Sequence, residues 1–181
     1  MKLVNLLSPV FIGFVISFLQ QGLAAYWRAE DVVKFMNTSE KIIVYNSTEV
    51  SDVFCKVDLT ESLHKDKGPL SFNRTIYTTS GKNTTHCLFA TVYDETLSVG
   101  LCTEARDNTT ETLLYQNGNS TCGVFEVAFA DSYSGWYEIR LRASSLNSGP
   151  SRGCAEYFTQ RTQDENQTVY TGCATALPAG L

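Results

Sequence analysis

The chain has 181 residues, 43% of them hydrophobic and 12% aromatic, with a formal net charge of −5. This acidity, with no Lys/Arg-rich stretch to offset it, argues against a nucleic-acid partner. The length bounds the fold to one domain with a sizeable core.

In chain order, Lys2 first precedes the apolar run VNLLSPVFIGFVISFL, which ends in the small residues of QQGLAA. Gly22 and Ala24 stand where a signal peptidase reads, so a signal peptide over residues 1–24 is expected, with cleavage after Ala24 or Ala25. Length alone would also suit a membrane anchor, but the small-residue site follows directly. The expected mature product, 25–181, is one secreted, extracellular domain without a membrane span. Losing Lys2 leaves 13 basic against 19 acidic residues, a formal charge of −6.

YWRAEDVVKFM then has the spacing of a short amphipathic helix, with Val32, Val33 and Met36 near one face. From Glu40 onward the pattern changes to short β segments rich in β-branched and aromatic residues. These are Lys41 to Tyr45, Asp52 to Leu59, Leu70 to Tyr77, His86 to Tyr93, Thr96 to Cys102, Thr110 to Gln116, Thr121 to Phe129 and Gly135 to Ala143. Turn formers such as Asn-Ser, Lys-Gly-Pro and Ser-Gly-Lys-Asn separate most of them. GPSRGCAEYFTQRT opens on Gly/Pro and continues with helical spacing at Cys154, Tyr157 and Phe158, and QTVYTGC is a last extended piece. About eight strands without long helices between them, closed by one late helix, fit an antiparallel all-β barrel. An immunoglobulin-like sandwich would need a cysteine, tryptophan, cysteine arrangement that is absent.

Six cysteines, Cys55, Cys87, Cys102, Cys122, Cys154 and Cys173, make an even count without C-x-x-C spacing. In a secreted chain this predicts three disulfides rather than zinc ligation, with the pairing left open. Asn37, Asn46, Asn73, Asn83, Asn108, Asn119 and Asn166 all stand in Asn-x-Ser/Thr. With Ser and Thr about a fifth of the chain, roughly two such matches would arise by chance. The excess marks these positions as surface glycosylation sites.

Catalysis has little to stand on. His64 and His86 are the only histidines, and both read as exposed or edge residues. H-E-x-x-H, G-x-S-x-G and phosphate-cradling glycine loops are missing, so neither an enzyme nor a cofactor is expected. The hairpin from Thr121 to Ala143 is more informative. Phe125, Val127 and Phe129 alternate on the first strand, and Tyr137, Ile139 and Leu141 on the second. Paired, they would form one broad apolar face, either a dry core or the wall of a pocket. A barrel of about eight strands encloses room for packed side chains or one small ligand, and these six residues are the candidate lining.

The chain resembles the tick salivary lipocalins of the histamine-binding family. The resemblance is carried by the leader, Trp27 ahead of a short helix, N-T-S-E-K at Asn37 to Lys41, Cys122 before Val-Phe-x-Val, and W-Y-E-I at Trp136 to Ile139. A cysteine on a late helix, Cys154, and one in the C-terminal strand, Cys173, complete it. It implies an eight-stranded lipocalin barrel with a short N-terminal and a C-terminal helix. It also implies two disulfides, Cys55 with Cys173 and Cys122 with Cys154. Cys87 and Cys102 are then left to join across the hairpin that turns at Asp94 to Thr96.

Amine-binding members of the family resemble one another in a Cys-Asp-aliphatic element and a later Glu-aliphatic-aromatic element. Here the first is Cys122-Gly123-Val124 and the second Glu138-Ile139-Arg140, so one carboxylate is lost and an aromatic is replaced by Arg. A buried ammonium must be paired, and Gly123 cannot pair it. By alternation position 123 shares the face of Phe125, while Glu138 is expected on the opposite face. The profile is closer to the lipid-binding, immunomodulatory, Japanin-like members. The resemblance therefore implies a hydrophobic ligand such as a lipid or sterol and action on host immune cells such as dendritic cells. One alternative is a scavenger of histamine, serotonin or leukotriene using Asp52, Asp58 or Glu138. Another is an antagonist of a host immune-cell protein whose barrel is filled by its own side chains, with the sequon-free run from Cys122 to Arg152 as its contact face.

Overall fold

The computed structural model describes residues 28–63, 69–132, 134–162, 168–169 and 173. The expected leader, Trp27, His64 and the Asn166 sequon lie outside the described residues. All eight expected strands form: β1 (Ile42–Ser47), β2 (Val53–Leu63), β3 (Leu70–Thr78), β4 (Asn83–Tyr93), β5 (Thr96–Leu101), β6 (Asp107–Gln116), β7 (Cys122–Phe129) and β8 (Gly135–Arg142). β2, β4 and β6 run several residues beyond their apolar patterns.

Each strand pairs antiparallel with the next. β1 closes the ring, because Ile42 and Ile43 pair with Asp58 and Val57 of β2 while the strand also runs along β8. After a bulge between Val44 and Asn46, β1 takes the two-residue strand β9 (Thr168–Val169) as its neighbour. The result is a closed eight-stranded barrel. Tight connections such as Asp94-Glu95 are made possible by a left-handed backbone at Asp94, φ 51°, which short polar side chains tolerate.

Helix α1 (Arg28–Met36) plugs one end. Its Val32, Phe35 and Met36 are fully buried, and its last carbonyls are held from the barrel. Arg142 Nη2 donates to Lys34 O at 3.0 Å and Phe35 O at 3.2 Å, and Thr60 Oγ1 donates to Met36 O at 2.9 Å. A cation at a helix C-terminus satisfies carbonyls that would otherwise lack partners. A 3₁₀ turn (Ala143–Ser148) leads to helix α2 (Arg152–Arg161), which is N-capped by Ser151. α2 lies outside the barrel, where Cys154 and Phe158 bury against Cys122, Val124, Ile139 and Leu141.

The three disulfides are Cys55–Cys173, Cys87–Cys102 and Cys122–Cys154, spanning 118, 15 and 32 residues. All three agree with the pairing reached through the family resemblance. Of the described sequons, Asn37, Asn83 and Asn119 are exposed, whereas Asn46, Asn73 and Asn108 are half-buried.

Candidate functional site

The barrel interior has three layers. The first, at the α1 end, is solid: Phe35 and Phe125 meet edge to face with centroids 5.3 Å apart, among Phe72, Leu97 and Leu113. Gly123 belongs here. A Cβ at that position would stand 3.0 Å from Phe35 Cε2 and 3.1 Å from Leu113 Cδ1 and Phe125 Cε2. A side chain there would have to displace these neighbours, so apolar packing stands where amine binders carry the carboxylate.

The second layer is ionic and was not expected. The inward alternate positions of β2, β3, β6 and β8 carry Lys56, Asp58, Arg74, Glu111, Glu138 and Arg140, all buried. Asp58 and Arg74 are cross-strand partners. Arg74 Nε and Nη2 donate to the two oxygens of Asp58, each at 2.7 Å, and Nη1 donates to Glu111 Oε1 at 2.8 Å. Arg140 Nη1 donates to Glu111 Oε2 at 2.6 Å, and its Nε to Glu138 Oε2 at 2.8 Å. Lys56 Nζ then donates to Glu138 Oε1 at 2.9 Å and also to Glu49. Acid and base therefore alternate from Asp58 through Arg74, Glu111, Arg140, Glu138 and Lys56 to Glu49.

Burial opposes the charge on Arg74, Glu111, Glu138 and Arg140, but the neighbours outweigh it. Arg140 and Arg74 hold the Glu111 carboxyl down at about 2. Lys56 and Arg140 hold Glu138 far below the usual carboxylate range. Asp58 and Glu111 raise Arg74 well above its ordinary value, and Glu111 and Glu138 raise Arg140. These four are charged at neutral pH.

The third layer is the mouth, where a cavity of about 220 Å³ opens. Its walls include Ile76, Leu88, Val99 and Leu101, and Arg74, His86, Asn108 and Thr109 bring polar groups. Arg74 thus faces the ionic layer on one side and the cavity on the other. Phe129 stands beside Thr109 in the β6–β7 register. Its ring meets Trp136 edge-on at 5.3 Å, and the residue is 49% exposed.

The six expected lining residues divide. Val127 and Phe125 face inward, but Phe125 is committed to the solid end. Phe129 stays at the rim. Tyr137, Ile139 and Leu141 lie on the outer face under α2, in contact with Cys122, Val124 and Phe158. The register explains this correction. Phe125 pairs with Glu138 and Val127 with Trp136, so odd positions of β7 share a face with even positions of β8. Glu138 is accordingly inside rather than on the opposite face. The alternative acid Asp58 is inside too, while Asp52 is exposed ahead of β2. His86 is exposed, as expected, but it lies on β4 between β3 and β5 and lines the mouth rather than an edge. Among the described residues no cluster of His, Cys, Asp or Glu is placed to hold a metal ion.

No protein-family model and no curated protein matches the chain. Solved structures do match it in fold. AM182, solved as a serotonin complex, superimposes with a TM-score of 0.60 at 18% identity, over 76% of this chain and 87% of that one. Japanin from Rhipicephalus appendiculatus, bound to cholesterol, gives 0.54 at 7% identity, over 74% and 93%. The siderocalin Ex-FABP, described as functioning through dual ligand specificities, gives 0.52 at 12% identity, over 72% and 87%. The fold is that of a lipocalin, as the sequence resemblance implies.

Proposed function

We propose that this chain is a secreted lipocalin that holds one small hydrophobic or amphipathic molecule in its mouth, with a hydrogen-bond-accepting group turned toward Arg74. The observation that carries this reading is the mouth cavity, with four aliphatic walls and a guanidinium in its lining. Its volume of about 220 Å³ lies below the roughly 300–1,000 Å³ that encloses a drug-sized ligand. A sterol or fatty acid would therefore be held by one end, with the remainder lying across Phe129 and Trp136. Covering about 100 Å² of apolar ligand surface contributes only about 2.5 kcal/mol, so the contact at Arg74 and the rim aromatics must supply the rest. An amine or leukotriene scavenger is less well supported on the amine side, because Asp58, Glu111 and Glu138 already hold internal cations.

Native mass spectrometry of insect-cell material tests the reading. A co-purifying fatty acid or sterol, reduced at least tenfold in Leu88→Trp, is the expected result. An empty barrel that takes up histamine or serotonin with submicromolar affinity would overturn it. By its resemblance to the Japanin-like members the protein is further proposed to act on host immune cells. Dendritic-cell maturation measured with native protein and with Leu88→Trp would show whether that action exists and needs the ligand.

One observation favours a second reading, an antagonist of a host immune-cell protein with a filled barrel: two of the three interior layers are occupied by the protein's own side chains. A pull-down against host leukocyte surface proteins, with substitutions in the Gly149 to Arg152 loop as controls, would separate it from the first.

A further inference from the structure

Lys56 is an unusual residue to find inside a barrel, where it is 4% exposed. Its ammonium is 2.9 Å from Glu138 Oε1, is bonded to Glu49, and lies 4.9 Å from the centroid of the Trp136 ring. Trp136 is fixed by its own indole N–H, which donates to the same Glu138 oxygen at 2.7 Å. Phe129 braces the outer side of the indole. Two carboxylates and an aromatic face around one ammonium are the chemistry by which proteins recognise a primary amine. The Glu49 side chain is 19% exposed, so one flank of this cage reaches the surface.

A lysine need not occupy the interior to stabilise it. Replacing a whole buried ion pair by apolar groups is on balance about neutral, so packing alone does not require an ammonium here. Glu138 would remain paired without Lys56, because Arg140 Nε binds its other oxygen at 2.8 Å.

We infer that Lys56 is a built-in occupant of an ammonium site, and that it determines specificity by closing the barrel to primary amines. Truncating lysine to alanine removes Cγ, Cδ, Cε and Nζ, the atoms of n-propylammonium. The vacated space has the shape and charge of that ion, with Glu49, Glu138 and Trp136 as its walls. The inference rests on the mouth being the port for ligands, as proposed above.

The test compares the native protein with Lys56→Ala and with Lys56→Ala/Glu138→Gln. n-Propylammonium serves as the probe, followed by tryptophan fluorescence and by thermal melting against equal concentrations of sodium chloride. Lys56→Ala should bind the probe at least tenfold more tightly than the native chain, and n-propylammonium should raise its melting temperature by several degrees. Both effects should be lost in the double variant. Equal amine response in the native protein and Lys56→Ala overturns the inference, as does a folded Lys56→Ala with no amine response. Lys56→Met, which keeps most of the side-chain volume without the charge, supplies the control if the alanine variant is poorly folded. It should fold, less stably than native, and bind amine no better than native, and amine binding equal to that of Lys56→Ala also overturns the inference. A fluorescent fatty acid titrated into the same samples reports on the mouth itself, so failure of the port and failure of the ammonium cage are distinguishable.

Discussion

Arg140 shows what a single side chain does in this barrel. It is wholly buried, bonded to Glu111 and Glu138, with its guanidinium 4.3 Å from the Phe125 ring. It therefore joins the solid end to the ionic layer. Removing one partner of a buried network leaves uncompensated charge, which typically costs about 3–5 kcal/mol. Arg140→Met should lose about that much in urea denaturation, although the methionine itself fits an apolar interior. Gly123 is the complementary case. Its lack of a side chain first reads as a lost amine ligand, but Phe35, Leu113 and Phe125 crowd the position, and any side chain there would have to displace them. Gly123→Asp should thus fail to confer histamine binding by calorimetry. Its melting temperature should fall, since overpacking alone costs about 1–3 kcal/mol.

The elements were largely legible because alternation, turn formers and one late helix each have a local signature. Alternation announces that a strand has two faces, however, and does not say which is inside. On β8 the apolar set of Tyr137, Ile139 and Leu141 looks like a pocket wall, yet it is covered from outside by α2. The polar set then turns inward with Glu138 and Arg140. Nothing in residues 130–134 fixes the parity of that turn. The usable signal was α2 itself, since a helix tied by Cys154 to Cys122 must bury apolar residues against the outer face of β7 and β8. The ionic layer was illegible for a related reason. Lys56 and Asp58 on β2, Arg74 on β3, Glu111 on β6 and Arg140 on β8 meet only once the barrel closes, and no local spacing pairs the acids with the cations. The α2 attachment makes a prediction of its own. The Cys122–Cys154 bridge closes 32 residues, for which chain entropy gives about 4 kcal/mol. The Cys122→Ala/Cys154→Ala protein should lose that order of stability. Its α2 amides should exchange with solvent before those of β3 to β5.

At the scale of the whole molecule, the alternating charges connect β2, β3, β6 and β8, along with the approach to β2 at Glu49. Elements that the disulfides leave unlinked are thereby coupled through proton-sensitive groups. A carboxyl whose pKa is lower in the folded than in the unfolded chain stabilises the fold above its unfolded value, and that contribution disappears as pH falls through the folded value. For Glu111 the window runs from about 4.5 down to about 2, and for Glu138 it extends lower still. Protonating either acid leaves a buried Arg or Lys without its counter-charge, so the layer should fail as a unit. The melting temperature should change little between neutral pH and about 5, then fall steeply from 4.5 toward 2. Because the cations remain charged throughout, Glu111→Gln should melt lower than native at neutral pH and show a shallower acid decline. Calorimetry across that range checks both limbs. A native transition already lost by pH 4, or a Glu111→Gln profile parallel to native, would mean that the carboxylates are not what holds the waist of the barrel together.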